Sequence, residues 1–384
     1  MKMHMASKNP LELYLHIPFC VRKCRYCDFL SGPAEEPVKR AYVKALAREL
    51  EVIAPQAAEY EIVSVYIGGG TPSLLKAEEI ALLMRQIRKG YRLSKEAEIS
   101  MEINPGTAEA DRLKGYFQAG INRISIGLQS ALNEELKRLG RIHSYEDFLK
   151  TYEQAGEAGF TNINVDIMSA IPGQTVADYE KTLEAVLSLH PLPEHISAYS
   201  LIVEEGTEFG AMAEAGTLLL PDEETDRLMY ARTAEQLKQK GYERYEISNY
   251  ARSGYRCLHN CGYWERKPYL GFGVGAASLF RGERFRNGES LTAYLAKPEG
   301  VRTDLQQLTS EEEMEEYMFL GLRLTQGVGK KKFEELFHRP MEQVYGKVLR
   351  KNEEDGLLVC QGDRVRLTEK GLDLSNYVMA QFLL

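Results

Sequence analysis

The chain has 384 residues, of which 44% are hydrophobic and 27% charged, with a formal net charge of −8. This ordinary globular mixture is long enough for about two to three domains, or one large α/β domain with an appendage. The acidic balance argues against a nucleic-acid partner. No apolar run reaches bilayer-spanning length, and the opening MKMHMASKNP has no apolar signal core, so a cytoplasmic protein is expected.

In chain order, strands are predicted at Leu11–Ile17, Ile62–Ile67, Glu98–Ile103, Asn122–Gly127, Asn162–Met168 and Glu194–Val203. Amphipathic helices alternate with them at Pro37–Ile53, Leu75–Gly90, Ala108–Ala119, Asn133–Leu139, Tyr145–Ala158 and Val176–Leu189. Six strands with helical crossovers predict a parallel sheet or an incomplete (β/α)6 TIM-like barrel. A long helix is expected over Asp222–Lys240, stopped by Gly241, and a further strand over Tyr242–Tyr250. Residues 251–290, rich in Gly, Arg and aromatics, read as loops around the rim.

Near residue 300 the texture changes, which divides the chain into a core of residues 1–300 and a C-terminal domain of 301–384. Ser310 with Glu313 suggests a capping box. Helices near 310–323, 330–337 and 341–354, a hairpin around Gly362-Asp363 and a final helix to Leu384 suggest a mostly helical, winged-helix-like domain. Residues 310–384 hold 11 Lys and Arg against 14 Asp and Glu, a poor balance for binding DNA.

Ligands in such α/β folds gather at the carboxyl ends of the strands. His16 and the stretch CVRKCRYCDFL follow the first strand, Gly68–Pro72 the second, and Glu102 with Asn104 end the third. Gln129 follows the fourth strand, Asp166 lies late in the fifth and Ser200 in the sixth. Cys20, Cys24 and Cys27 are spaced C-x3-C-x2-C. Three thiolates on one loop can hold three irons of a [4Fe–4S] cube and leave the fourth open to a small molecule. The alternative is a zinc site, which needs a fourth ligand such as His16.

This spacing, with Tyr26 before the last cysteine, resembles the signature of the radical S-adenosylmethionine (SAM) superfamily. The resemblance implies that the methionyl amine and carboxylate of SAM complete the cluster, and that an electron passed to the sulfonium yields a 5′-deoxyadenosyl radical. LYLHIPFC, YIGGGTPSLL, EINPGT, ISIGLQS, VDIMSAIPGQT and YEISNYA look like the oxygen-independent coproporphyrinogen III oxidase group, which includes the HemW-type haem chaperones. The likeness runs over nearly the whole chain. It implies SAM contacts from Tyr14, Tyr26, Gly69, Gly70, Thr71, Glu102, Gln129, Arg141, Asp166 and Ser200.

Two departures separate the chain from the oxidases. They carry a further cysteine where Phe29 stands, and a longer extension ahead of Tyr14. C-x3-C-x2-C-x-F is the HemW-like pattern. HNCGYW (259–264) matches the H-N-x-x-Y-W motif of that group, implying a haem ligand in His259 and packing of Tyr263 and Trp264 on the macrocycle. Cys257 and Cys261 are given no role, and Cys360 is expected in the core.

The likeness therefore implies a haem chaperone on a radical SAM scaffold, binding a [4Fe–4S] cluster, SAM and haem. Implied partners are haem or porphyrin, a haem-accepting membrane protein visited during transfer, a reductant such as flavodoxin or ferredoxin, and a second copy in a cluster-linked homodimer. The alternative is a radical SAM enzyme acting on a porphyrin or porphyrinogen, as coproporphyrinogen dehydrogenase does.

Overall fold

The computed structural model describes residues 9–299 and 302–384. The leader reading falls largely on residues 1–8, and the division at 300/301 on the other two residues outside that description. Six parallel strands, β1 (Pro10–Ile17), β2 (Glu61–Gly69), β3 (Leu93–Ile103), β4 (Arg123–Gln129), β5 (Ile163–Ser169) and β6 (His195–Ser200), lie side by side in chain order. The helices between them are α1 (Glu36–Ile53), α2 (Ala77–Gly90), α3 (Ala110–Ala119), α4 (Asn133–Arg138), α5 (Tyr145–Glu157) and α6 (Val176–Val186). The expected (β/α)6 order is present, with boundaries shifted by a few residues.

Strand alternation sets the inside and the outside. In β1, Leu11, Leu13, Leu15 and Ile17 are fully buried in the same hydrophobic core as Tyr42, Leu46 and Leu50 of α1. The intervening Glu12, Tyr14 and His16 face the barrel lumen, because successive side chains on a strand point to opposite faces. β3 repeats the pattern with Glu98, Ser100 and Glu102, so the lumen is polar and the shell apolar.

After β6 come α7 (Glu208–Glu214) and α8 (Glu223–Gln239), the latter capped by Asp222, whose carboxylate accepts the Thr225 N–H at 2.8 Å. Two expectations fail in the next stretch. The strand expected at Tyr242–Tyr250 is a turn between short antiparallel strands, β7 (Glu243–Arg244) and β8 (Asn249–Ala251). Residues 251–290 are not rim loops. They form helix α9 (Leu258–Trp264) and strands β9 (Tyr269–Phe272), β10 (Ala277–Phe280) and β11 (Glu283–Asn287), with β9 parallel to β1 on its free edge. Short elements punctuated by glycine carry too little periodicity to be read individually.

Helix α10 (Leu291–Ala296) follows, and β12 (Arg302–Gln307) then pairs with β11, so the twelve-stranded sheet continues past residue 300. The C-terminal unit has its own hydrophobic core, built around Met318, Phe333, Met341, Val365 and Phe382. It contains α11 (Ser310–Gly321), β13 (Val328–Gly329), α12 (Lys330–Phe337), α13 (Met341–Glu354), β14 (Leu358–Gln361) and β15 (Arg364–Leu367). The helix expected at the C-terminus is two short ones, α14 (Glu369–Asp373) and α15 (Ser375–Ala380). The capping box lies one residue earlier than expected: Thr309 accepts the Glu312 N–H, and Glu312 accepts the Thr309 N–H.

Candidate functional site: a cysteine-lined cavity at the carboxyl ends of the strands

The cysteine loop leaves the end of β1 and is pinned at several points. The Cys20 N–H donates to Gly32 O at 2.9 Å, Arg25 N–H to Leu139 O at 3.1 Å, and Phe209 N–H to Arg25 O at 2.9 Å. The Arg22 guanidinium donates to Gly140 O at 2.9 Å. Held this way, Cys20, Cys24 and Cys27 line one cavity of about 150 Å3 with Tyr26, Gly69, Gly70, Glu102, Asn104, Gln129, Arg141 and Asp166. Residues up to 146 positions apart meet because each ends or follows a parallel strand.

Donors already point at the sulfurs. Thr71 Oγ1 lies 3.5 Å from Cys20 Sγ and Arg141 Nη1 3.7 Å from Cys24 Sγ. Arg141 also donates to Asn104 Oδ1 and Gly127 O, both at 3.0 Å, which fixes its guanidinium. The backbone at Gly70 approaches closely: a Cβ there would lie 2.6 Å from Phe19 O and 3.0 Å from Cys20 Sγ. The donor set and this cradle fit an iron–sulfur cluster with thiolate ligands. The zinc alternative loses its fourth ligand. His16 Nδ1 pairs with the Tyr14 hydroxyl at 3.0 Å and Nε2 with Leu30 O at 2.9 Å.

On the opposite wall, Asp166 accepts from Asn164 at 2.6 Å and from Ser125 at 3.0 Å. Gln129 holds a left-handed φ of 71° and accepts the Tyr199 hydroxyl at 2.8 Å. Glu102 accepts the Gly69 N–H at 3.0 Å and the Tyr66 hydroxyl at 3.1 Å. Burial, and then the neighbouring Asp166 carboxylate, push Glu102 up to about 8 from an ordinary 4.5. The folded protein thus keeps a proton that the unfolded chain releases. That contribution to stability is complete below about pH 4.5 and is lost as pH rises to about 8. Glu102→Gln should flatten the decline in Tm across this window and melt above the wild type at the alkaline end. A wild-type profile as flat as the variant's would refute the assignment.

Two residues expected at this site lie elsewhere. Tyr14 is below the cavity, in the lumen, against Tyr66 and His259 at centroid distances of 6.4 Å. Ser200 bonds Asp226 at 2.7 Å and lines a separate cleft with Tyr230 and Leu372.

The HNCGYW motif is α9, and α9 plugs the amino-terminal mouth of the barrel. Glu98 accepts the Leu258 N–H at 3.1 Å and the His259 N–H at 3.4 Å. Gly262 is required because a Cβ there would overlap the Glu12 carboxylate. His259 is 1% exposed, with Nδ1 2.9 Å from Ser64 Oγ and Nε2 3.1 Å from the Tyr263 hydroxyl. Burial, and then Arg123, push its imidazole down to about 3, so it is neutral. In this arrangement neither ring nitrogen is free for a metal. Tyr263 is enclosed with it, whereas Trp264 is half-buried at the junction with the C-terminal unit, its ring under the Arg323 guanidinium at 4.3 Å.

Tyr66, not singled out in the sequence, joins the two ends of the lumen. Its hydroxyl reaches Glu102 in the cavity, and its ring stacks on His259 at 5.1 Å. Glu12, Ser64, Glu98 and Arg123 were also missed. Their signal was a period-two polar set inside strands flanked by helices, which marks a polar lumen.

Residues 14–186 match the radical SAM superfamily and residues 308–374 the HemN C-terminal domain. The chain is 37% identical to "Heme chaperone HemW" of Bacillus subtilis, over 96% of this chain and 98% of that one. It is 40% identical to "Heme chaperone HemW" of Escherichia coli over 71% of each chain. It is 34% identical to "Radical S-adenosyl methionine domain-containing protein 1, mitochondrial" of Danio rerio, over 97% and 87%. The solved structure of coproporphyrinogen III oxidase (HemN) from Escherichia coli superposes with a TM-score of 0.83 at 24% identity, covering 98% of this chain and 90% of that one, a likeness of fold.

Proposed function

The chain belongs to the HemW haem-chaperone family within the radical SAM superfamily, and on that premise we propose that it carries haem to an acceptor protein while its cysteine cavity takes a [4Fe–4S] cluster and SAM. Cys20, Cys24 and Cys27 would supply the thiolates. Gly69, Gly70 and Thr71 lie where the methionyl group of SAM would approach, and Glu102 and Asp166 offer carboxylates to its polar groups. When bound, such a cluster supplies one electron to the SAM sulfonium. Around it the protein's own residues do three things. Arg141 holds positive charge beside Cys24, Tyr66 holds Glu102 in place, and the apolar shell keeps water from the strands' outer faces.

The observation that carries the chaperone reading is Phe29. It lines the cavity and is 58% exposed, at the place where the oxidase group has a further cysteine. An apolar ring there adds no thiol or proton donor to the cavity. The second reading, a radical SAM enzyme acting on a porphyrinogen, is favoured by the complete cysteine loop and the engaged Arg141.

His259 is assigned here to seating α9, since both its nitrogens are already used. The acceptor is proposed to be a membrane protein; among the described residues no helix is long and apolar enough to cross a membrane. Anaerobically reconstituted protein is expected to bind haem, read from the Soret band. With coproporphyrinogen III, SAM and a reductant it should form no protoporphyrinogen. Turnover would overturn the chaperone reading in favour of the enzyme.

A further inference from the structure

Asn104 follows β3 directly and lines the cysteine cavity. Its backbone is clamped on both sides. The Asn104 N–H donates to Ser73 Oγ at 3.1 Å, and its carbonyl accepts the Thr107 hydroxyl at 2.6 Å and the Thr107 N–H at 3.1 Å. The side-chain amide is therefore aimed, and its two ends meet different partners. Oδ1 accepts the Arg141 guanidinium at 3.0 Å, and Nδ2 donates to Thr71 Oγ1 at 2.8 Å.

Donor and acceptor chemistry fixes that orientation. A guanidinium only donates, so Oδ1 must face Arg141 and Nδ2 must face Thr71. The Thr71 oxygen is thereby an acceptor, which leaves its own proton for Cys20 Sγ, 3.5 Å away. Arg141, held by Asn104 Oδ1 and Gly127 O, turns Nη1 to Cys24 Sγ at 3.7 Å. One amide thus directs the two side-chain donors that, among the described residues, reach sulfurs of the cysteine loop. Gly127 gives independent support. Its φ is not left-handed, so the missing side chain serves space rather than conformation. A Cβ there would lie 3.3 Å from both Asn104 Oδ1 and Arg141 Nη2, tighter than an ordinary contact.

Protons and positive charge directed at thiolate sulfur favour the reduced, more negative state of a cluster and raise its potential. We propose that Asn104 is a positioning residue that tunes the reduction potential of the cluster, by aiming Thr71 at Cys20 and Arg141 at Cys24. The proposal rests on the cluster reading of the cavity and holds whether the chain acts as a chaperone or as an enzyme.

The test uses the full chain, reconstituted anaerobically and poised at the wild-type midpoint potential, with the reduced fraction read by electron paramagnetic resonance. In Asn104→Ala the ratio of reduced to oxidised cluster should fall about tenfold, which is about 59 mV for a one-electron couple. Thr71→Val removes one of the two donors and should lower the ratio by about threefold. The double variant should fall by less than the product of the two single losses, because the alanine has already released the Thr71 hydroxyl. A residue with only a structural role would change iron content or melting temperature without this pattern. A ratio within about twofold of wild type in iron-replete Asn104→Ala would overturn the proposal and leave the cluster reading intact. A double variant at the full product would overturn it too, since Asn104 would not be acting through Thr71. Should Asn104→Ala hold too little iron to read, Asn104→Ser takes its place under the same criterion. Loss of iron from both would also overturn the proposal, making Asn104 a residue of cluster retention rather than of potential. A wild type that holds zinc, or no iron, would overturn the proposal and the cluster reading together.

Discussion

Cys24→Ala is expected to abolish the iron–sulfur centre. Anaerobically reconstituted wild type should hold about four irons per chain, and the variant fewer than about one. The structure gives the reason. Cys24 sits mid-loop, its carbonyl accepts the Cys27 N–H at 3.3 Å, and its sulfur faces the Arg141 guanidinium. Removing it leaves two thiols and an unmatched cation at the cavity wall, and no other Cys or His lines that cavity to replace it. Cys257→Ala and Cys261→Ala should retain their iron. Cys257 is fully buried against Glu98, and burial pushes the Cys261 thiol up to about 12, so neither is a ready ligand. Stoichiometric zinc in place of iron, or full iron in Cys24→Ala, would remove the cluster assignment.

Glu98→Ala should cost about 3–5 kcal/mol of folding stability, the loss expected when one partner of a buried charged network is deleted. Glu98 is 7% exposed and Arg123 2%, with 4.0 Å between the Glu98 carboxylate and Arg123 Nε. The same carboxylate accepts two N–H groups at the start of α9, where negative charge is favoured. Deletion therefore leaves a buried guanidinium and the Leu258 and His259 amides without their acceptor. Trp264, the only tryptophan, ends α9, so its emission reports on the plug directly. Urea unfolding followed by that emission should show the loss, and Glu98→Gln, which keeps the acceptor but not the charge, should recover part of it. A Glu98→Ala transition within about 1 kcal/mol of wild type would mean that α9 is not held by this carboxylate.

The HNCGYW motif shows how tertiary contacts decide where the side chains of a sequence motif point. As sequence, its likeness to the family motif implies a haem site, with His, Tyr and Trp within six residues. In the fold, His259 and Tyr263 point into the lumen and only Trp264 reaches an open cleft. The motif is helical, and over three turns or fewer a short helix presents its side chains in different directions. Nothing in the spacing says which direction meets the barrel. That depends on Glu12, Ser64 and Glu98, which come from three strands and are up to 247 residues away in sequence.

The sequence alone determined the order of the six parallel strands, the residues at their carboxyl ends and the thiol trio beside them. These rest on local signals: alternation, amphipathic period, glycine turns and cysteine spacing act over a few residues and survive in one dimension. Only the tertiary structure decided that residues 258–264 close the opposite mouth, that strands β9–β12 extend the sheet, that Tyr14 lies below the cavity, and that a cleft opens at Trp264. Those outcomes depend on which buried carboxylates find partners and which faces are left uncovered. Such pairing energies arise between residues distant in the chain, so no local pattern could have carried them.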